Sequence, residues 1–111
     1  MAVKDTIQWF KDNLSQNRDI GPAEWIEGAE KLNLQLSEER HKLFDLQQAV
    51  AKQRVALIEN GKSVAHARTF IEASDEYKEM LKQKALIDET VEFIRLAKLH
   101  GKLASEELKG Y

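Results

Sequence analysis

The chain has no cysteine, one proline and five glycines among its 111 residues. The absence of cysteine excludes disulfides and thiolate chemistry, and the scarcity of proline and glycine leaves few places where a helix has to end. Acidic residues number 19 and basic residues 17, so the net charge of -2 predicts no general attraction to nucleic acid or to an anionic membrane. No apolar run approaches the roughly 20 residues that span a bilayer, and the first residues lack the apolar segment of a signal peptide. We therefore expect a soluble cytoplasmic protein with no membrane partner.

What the chain does contain indicates helices. Charged residues make up 32% of it and hydrophobic residues 42%, a composition typical of long helices and coiled coils. This length predicts one domain, residues 1–111. A first short helix is predicted at about residues 5–16, where Ile7, Phe10 and Leu14 form one apolar stripe.

A long helix is predicted from residue 22 to residue 60. Pro22 suits its first position, and Gly21 can cap it. From Trp25 onward, residues recur at alternating steps of four and three, which predicts a coiled-coil seam over five heptads. The seam consists of Trp25, Ala29, Leu32, Leu36, Glu39, Leu43, Leu46, Val50, Gln53, Leu57 and Asn60, of which eight are apolar.

A second long helix is predicted after a tight turn. Gly61 favours a helix end, since glycine readily takes the left-handed conformation there, and Ser63 can cap the next helix. Ser74 and Asp75 favour helix caps and could kink that helix, but we expect it to run unbroken over residues 63–100, because no proline or glycine forces a break. Gly101 should then end it, with residues 101–111 as a tail.

The short connection predicts how the two long helices are arranged. Long helices joined by two to four residues lie antiparallel, and a bend centred near Gly61 makes facing residues have numbers that sum to about 122. The predicted fold is all-α: a short N-terminal helix packed on a long antiparallel, coiled-coil-like helical hairpin.

Residues 56–63, ALIENGKS, fit a relaxed phosphate-loop pattern, in which four residues separate a small residue from Gly-Lys-Ser. A phosphate loop leaves the end of a strand and wraps backbone N–H groups around the phosphates. Val50 and Leu57 instead continue the helical seam, and the chain has no further strand pattern. We therefore interpret Gly61 and Ser63 as the end of one helix and the start of the next.

Glu38 and His41 have the Glu-x-x-His spacing that forms di-iron sites when two copies meet in a four-helix bundle. The other histidines, His66 and His100, have no glutamate three residues before them, although a dimer could duplicate the motif. Because Glu38 and His41 lie beside the seam in the charged run SEERHK, we favour a solvated face and predict no metal site.

Catalysis is not expected either. The chain has no cysteine nucleophile and no serine in a nucleophile elbow, and its three histidines are scattered along the sequence. We predict a non-enzymatic protein with no catalytic residues and no cofactor.

Contact with nucleic acid is the alternative function. Acidic residues interrupt the basic residues in every segment, but the hairpin tip holds four basic residues with no obvious acidic partner apart from Glu59. A basic cluster can bind phosphates even when the net charge is negative. The candidate contacts are Lys52, Arg54, Lys62 and Arg68.

Assembly through protein–protein contacts is the function that the sequence favours. The chain has more large apolar residues than one seam can bury, and part of this surplus should receive the first helix near Trp25 and Phe93. The remainder predicts a homo-oligomer, a dimer or higher, or a surface for another protein. The candidate interface residues are Trp9, Trp25, Phe44, Leu81 and Phe93.

The run ALIENGKSVAHARTFIEASDEYKEMLKQKALIDETVEFIRLAKLHGKLA resembles small helical proteins encoded by bacteriophages and prophages. Those proteins share a long helix, a Gly-Lys-Ser turn and a second helix with a Glu-Tyr-Lys-Glu segment. The resemblance covers nearly half the chain and carries no functional residues. It implies a bacterial cytoplasmic setting, a host or phage protein as partner, and an accessory role near DNA processing or host takeover.

Overall fold

The structure is a computed structural model that describes residues 3–16 and 19–109. These residues form helices and their connections, with no strand among them. The helices are α1 (Val3–Ser15), α2 (Pro22–Glu59), α3 (Val64–Glu72) and α4 (Asp75–Lys109). The predicted all-α helical hairpin is confirmed, with α2 and α4 as its long arms. Within the described part of the chain, no helix combines the length and the apolar character needed to cross a membrane.

The chain forms two compact units. Unit 1 combines the described residues up to Glu38 with those from Asp88 onward, and unit 2 is Glu39–Ile87. Helices α2 and α4 each contribute one part to unit 1 and another part to unit 2.

The core of unit 1 is built by α1, the first half of α2 and the second half of α4. The predicted seam of α2 is buried here, and the buried residues of α4 show the same spacing of four and three. The ring of Phe10 stacks on Trp25 with centroids 5.0 Å apart and lies 5.9 Å from the ring of Phe93. The predicted packing of the first helix near these two side chains is thereby confirmed. The buried positions are Val3, Thr6, Ile7 and Phe10 of α1, Trp25, Ala29, Leu32 and Leu36 of α2, and Thr90, Ile94, Ala97 and Gly101 of α4.

Gly101 lies inside α4 and is buried. A Cβ atom at this position would lie 3.2 Å from the side chains of both Trp25 and Ile26. The glycine therefore permits a close approach of α4 to α2 within unit 1. The prediction that a helix ends at Gly101 was wrong, because glycine serves close packing as well as helix termination.

The core of unit 2 is formed by Val50, Ile71 and Met80, which are buried. The partly buried side chains packed against it are Leu43, Leu46, Leu57 and Tyr77. At one end, the Nε2 atom of Gln83 donates to the Oε2 atom of Glu39 over 2.7 Å and to the backbone carbonyl of Glu39 over 2.8 Å. The two residue numbers sum to 122, so this contact agrees with the expected register of the hairpin.

The helix predicted over residues 63–100 is interrupted, so that prediction was wrong. Helix α3 ends at Glu72 and α4 begins at Asp75. Between them, the hydroxyl of Ser74 donates to the carbonyl of Ile71 over 2.6 Å and accepts from the N–H of Tyr77 over 3.3 Å. One serine thus satisfies backbone groups of both helices, which makes a break possible without proline or glycine.

The tip of the hairpin has the predicted turn. Gly61 has a φ of +87°, its N–H donates to Ile58, and the N–H of Lys62 donates to Leu57 over 3.1 Å. These two bonds form a Schellman motif that ends α2. Ser63 then accepts a hydrogen bond of 3.1 Å from the first turn of α3 and caps that helix.

Candidate interaction surfaces

The phosphate-loop pattern falls on a helix end. Residues 56–59, which would have to leave a strand, form the last turn of α2. Lys62 follows the turn at Gly61 with its side chain exposed. No sheet edge precedes this tip, so its geometry is that of a helix reversal rather than of a nucleotide cradle.

Glu38 and His41 are both exposed. Among residues 3–16 and 19–109, no group of three or more histidine, cysteine, aspartate or glutamate side chains is arranged to hold a metal ion. The Glu-x-x-His spacing thus lies on the exposed surface of α2.

The four basic residues named as nucleic-acid contacts all lie in unit 2 with exposed side chains. The Nε atom of Arg68 is 3.0 Å from the Oε1 atom of Glu72, one turn later on α3. The expectation that Arg68 lacks an acidic partner was therefore wrong. Lys52, Arg54 and Lys62 form no ion pair with any residue that the structure describes.

The five predicted interface residues divide into two groups. Trp25 is buried and stacks with both Phe10 and His100, each at a centroid distance of 5.0 Å, and Phe93 is half-buried beside Phe10. These two side chains belong to the core of unit 1. The other three are exposed: Trp9 at 43%, Phe44 at 57% and Leu81 at 46%.

Trp9 borders a groove between α1 and α2 in unit 1. The groove has a volume of about 380 Å³, and its apolar surface comes from Trp9, Phe10 and Gly28. Acidic side chains stand along it together with one lysine. These polar lining residues are Asp5, Thr6, Glu24, Glu27 and Lys31.

Unit 2 leaves large apolar side chains exposed on all three of its helices. Phe70 of α3 is 60% exposed and borders a groove of about 550 Å³ with Ala56 and Leu57 of α2. Val64, at the start of α3, is also exposed. Phe70 was not predicted as a surface residue, because an amphipathic pattern of only nine residues does not show which face will be covered.

Most of the exposed apolar residues of α2 in unit 2 form one stripe. The stripe follows steps of four and three, and all of its members are exposed. We call it the outer stripe of α2, and it consists of Phe44, Gln48, Ala51, Val55 and Ile58. Of these residues only Phe44 was predicted at an interface, although the spacing of the other members indicates a second heptad seam.

The outer stripe lies on the opposite side of α2 from the buried seam. If the stripe occupies heptad positions a and d, the seam residues Leu43, Leu46 and Val50 occupy positions c and f. A shallow groove of about 270 Å³ on the stripe is lined by α2 residues alone. These lining residues are Ala51, Lys52, Val55, Ala56 and Glu59.

Comparisons of the chain with protein-family models, with curated proteins and with solved structures find no match. The surfaces of unit 1 and unit 2 are therefore what indicates a function.

Proposed function

We propose that the protein is a non-enzymatic helical interaction module that assembles through protein–protein contacts, and that its first partner is a second copy of itself. The observation that carries this proposal is the apolar surface of unit 2. Phe44 is 57% exposed, Val55 is 53% exposed and Phe70 is 60% exposed.

Burial of such side chains stabilises an assembly. Removing apolar surface from water is worth about 25 cal/mol per Å², so several half-exposed aromatic and branched side chains supply several kcal/mol when covered together. The buried seam of α2 already forms the core of unit 2. The exposed side chains are therefore additional to what the fold itself requires.

The resemblance to phage-encoded helical proteins supports a cytoplasmic setting in a bacterial host. In that setting, a host or phage protein is the second kind of partner that we propose for the same surface.

Sedimentation velocity over a range from below micromolar to tens of micromolar tests the proposal. We expect the weight-average mass to rise with concentration for the natural chain. Phe44→Glu should lower this rise, whereas Lys78→Glu, at an exposed position of α4 in unit 2, should leave it unchanged. A natural chain that stays strictly monomeric at tens of micromolar would overturn the proposal.

Binding of nucleic acid is a second candidate, supported by one observation. Lys52, Arg54 and Lys62 are exposed and have no ion-pair partner in residues 3–16 or 19–109. Phosphate contacts by lysine and arginine weaken steeply with salt, because bound counterions are released.

A gel-shift titration with single- and double-stranded DNA at low and high salt tests this candidate. We expect a shift at low salt that decreases when the three basic residues are changed to glutamine. The matched control replaces Lys78, Lys82 and Lys84 of α4 with glutamine. The absence of any shift at low salt would discard nucleic-acid binding.

A further inference from the structure

We propose that two copies of the chain pair through the outer stripe of α2, with the two α2 helices parallel and in register. The inference rests on the proposed function, and it specifies the surface, the orientation and the register of the assembly.

The stripe has the spacing of a short coiled-coil interface. Phe44, Ala51 and Ile58 occupy position d, while Gln48 and Val55 occupy position a. No other described helix of unit 2 offers a comparable stripe. Leu81 is followed on its face of α4 by Ala85 alone within the unit, and α3 has only nine residues.

The charges beside the stripe indicate a second copy as the partner. Arg40 and Arg54 occupy position g, and Asp45 and Glu59 occupy position e. In a parallel pair, each residue at g lies near the residue at e five positions later on the other helix. Arg40 therefore meets Asp45 of the second copy and Arg54 meets Glu59, and the two-fold symmetry doubles both pairs.

These four side chains are available for such contacts. All four are exposed. None of them forms an ion pair with any residue in the described part of the chain. Pairing with a second copy thus breaks no existing salt bridge.

Antiparallel pairing gives poorer charge complementarity, because it places e beside e and g beside g. When Ala51 lies opposite Val55, Lys52 faces Lys52 of the second copy, and Asp45 faces Glu59 of the second copy. Like charges therefore meet. With Gln48 opposite Ala51, Asp45 meets Lys52 twice, which is half the number of opposite-charge pairs in the parallel arrangement.

Gln48 sets the register. A polar residue at a single position a specifies register, because it finds a hydrogen-bonding partner only when it faces the same residue of the other helix. In the in-register pair, Gln48 faces Gln48 of the second copy. A shift by one heptad would place it opposite His41 or Val55 and break the match.

The stripe spans about two heptads, or roughly 21 Å of helix. An interface of this length falls in the smallest class of specific contacts, so we expect a dissociation constant of about micromolar order rather than an obligate dimer.

Charge exchange tests the inference. We expect Arg40→Glu with Arg54→Glu to weaken self-association about tenfold, since four exposed pairs of a few tenths of a kcal/mol each become repulsive. Asp45→Arg with Glu59→Arg should weaken it similarly. Mixing the two double variants should restore association, because each arginine then faces an acidic residue. Lys78→Glu with Lys84→Glu is the control with the same change of net charge.

Cysteine cross-linking tests the orientation and the register of the two helices in an experiment that does not depend on the charge variants. The chain has no cysteine of its own, so any disulfide in a single-cysteine variant joins two copies. Val55→Cys keeps Gln48 and should oxidise readily to a dimer, because position a faces position a only in the parallel in-register pair. Ala49→Cys, at an exposed position beside the stripe, should not.

The outcomes separate this inference from the proposed function. Circular dichroism first establishes that each variant keeps its helices. Restored association in the mixture together with a disulfide at position 55 supports parallel pairing. If the natural chain associates but the mixture of charge variants does not regain association and the disulfide does not form, parallel pairing is overturned. The proposed function then still stands. A natural chain that remains monomeric overturns both.

Discussion

The aromatic ring of Phe10 lies directly over the backbone of Gly28. A Cβ atom on Gly28 would overlap that ring, with the Cε2 atom of Phe10 only 2.5 Å away. The ring also stacks on Trp25, so it has little room to withdraw. The docking of α1 on α2 in unit 1 therefore depends on the absence of a side chain at residue 28.

Gly28→Ala should destabilise unit 1 by about 1–3 kcal/mol, because overpacking forces the Phe10 ring out of its position. Urea unfolding followed by tryptophan fluorescence measures this loss. In a Phe10→Ala background, the same change should be neutral or stabilising by up to about 1 kcal/mol, since alanine favours a helix more than glycine does. Equal losses in both backgrounds would contradict the steric explanation.

Gly61→Ala should cost about 1–2 kcal/mol, because residue 61 has a φ of +87° and a side chain is strained in that conformation. Apart from residues 60–62, no atom of the residues that the structure describes lies within 4 Å of the added Cβ, so strain of the backbone is the main effect. Gly61→Asn is the matched variant and should cost less, since asparagine tolerates the left-handed region. Urea denaturation compares the stability of the two variants. A Gly61→Ala variant as stable as the natural chain would refute the role of this turn.

Gln83→Leu should cost about 1–3 kcal/mol, because it removes the donor to the Oε2 atom of the buried Glu39 carboxylate and leaves only Lys42 on the Oε1 atom. Changing both Glu39 and Gln83 to leucine should recover much of that loss, since no buried polar group is then left without a partner. A double-mutant cycle by urea unfolding measures the coupling. Strictly additive losses would show that the two side chains act independently.

Ser74→Ala should cost about 0.5–2 kcal/mol, because Ser74 caps the first turn of α4 and also binds the end of α3. Ser37→Ala, at an exposed position inside α2, serves as the control and should change stability little. Thermal unfolding followed by circular dichroism reports both values. An unchanged midpoint for the Ser74 variant would contradict a capping role.

Several elements of the fold were predictable because their signals were local and redundant. The start of α2 has Pro22 preceded by Gly21, and the end has Gly61 followed by Ser63. The seam that begins at Trp25 repeats often enough to be recognised by its spacing alone. Local chemistry and periodicity therefore gave the same helix bounds at α2, within one residue.

The predictions from the sequence were wrong mainly where one residue type can serve two structural purposes. Gly101 was interpreted as a helix end, but close packing of α4 on α2 in unit 1 determines its role. Ser74 was recognised as a possible cap, but the absence of proline and glycine was given more weight, although its hydroxyl needs only local partners, at Ile71 and Tyr77. The partner of Arg68 was overlooked, although Glu72 stands four residues later, a spacing typical of helical ion pairs.

The candidate surface was only partly predictable for a related reason. Phe44 and Leu81 were correctly expected at the surface. Val55 and Ile58 were not, because this part of the chain was considered only as a phosphate loop or a helix end, and not as part of a second helical face. Two seams on one helix obscure each other, since together they leave few positions that look purely polar.

The free space around Gly61 also makes the hairpin tip a place for engineering. Residues 60–63 are exposed, and their backbone bonds serve only the ends of the two neighbouring helices. Exposed tips of this kind accept inserted sequence better than helix interiors do. A fluorescent protein carried on flexible spacers after Lys62 would report on the assembly of the chain in living cells.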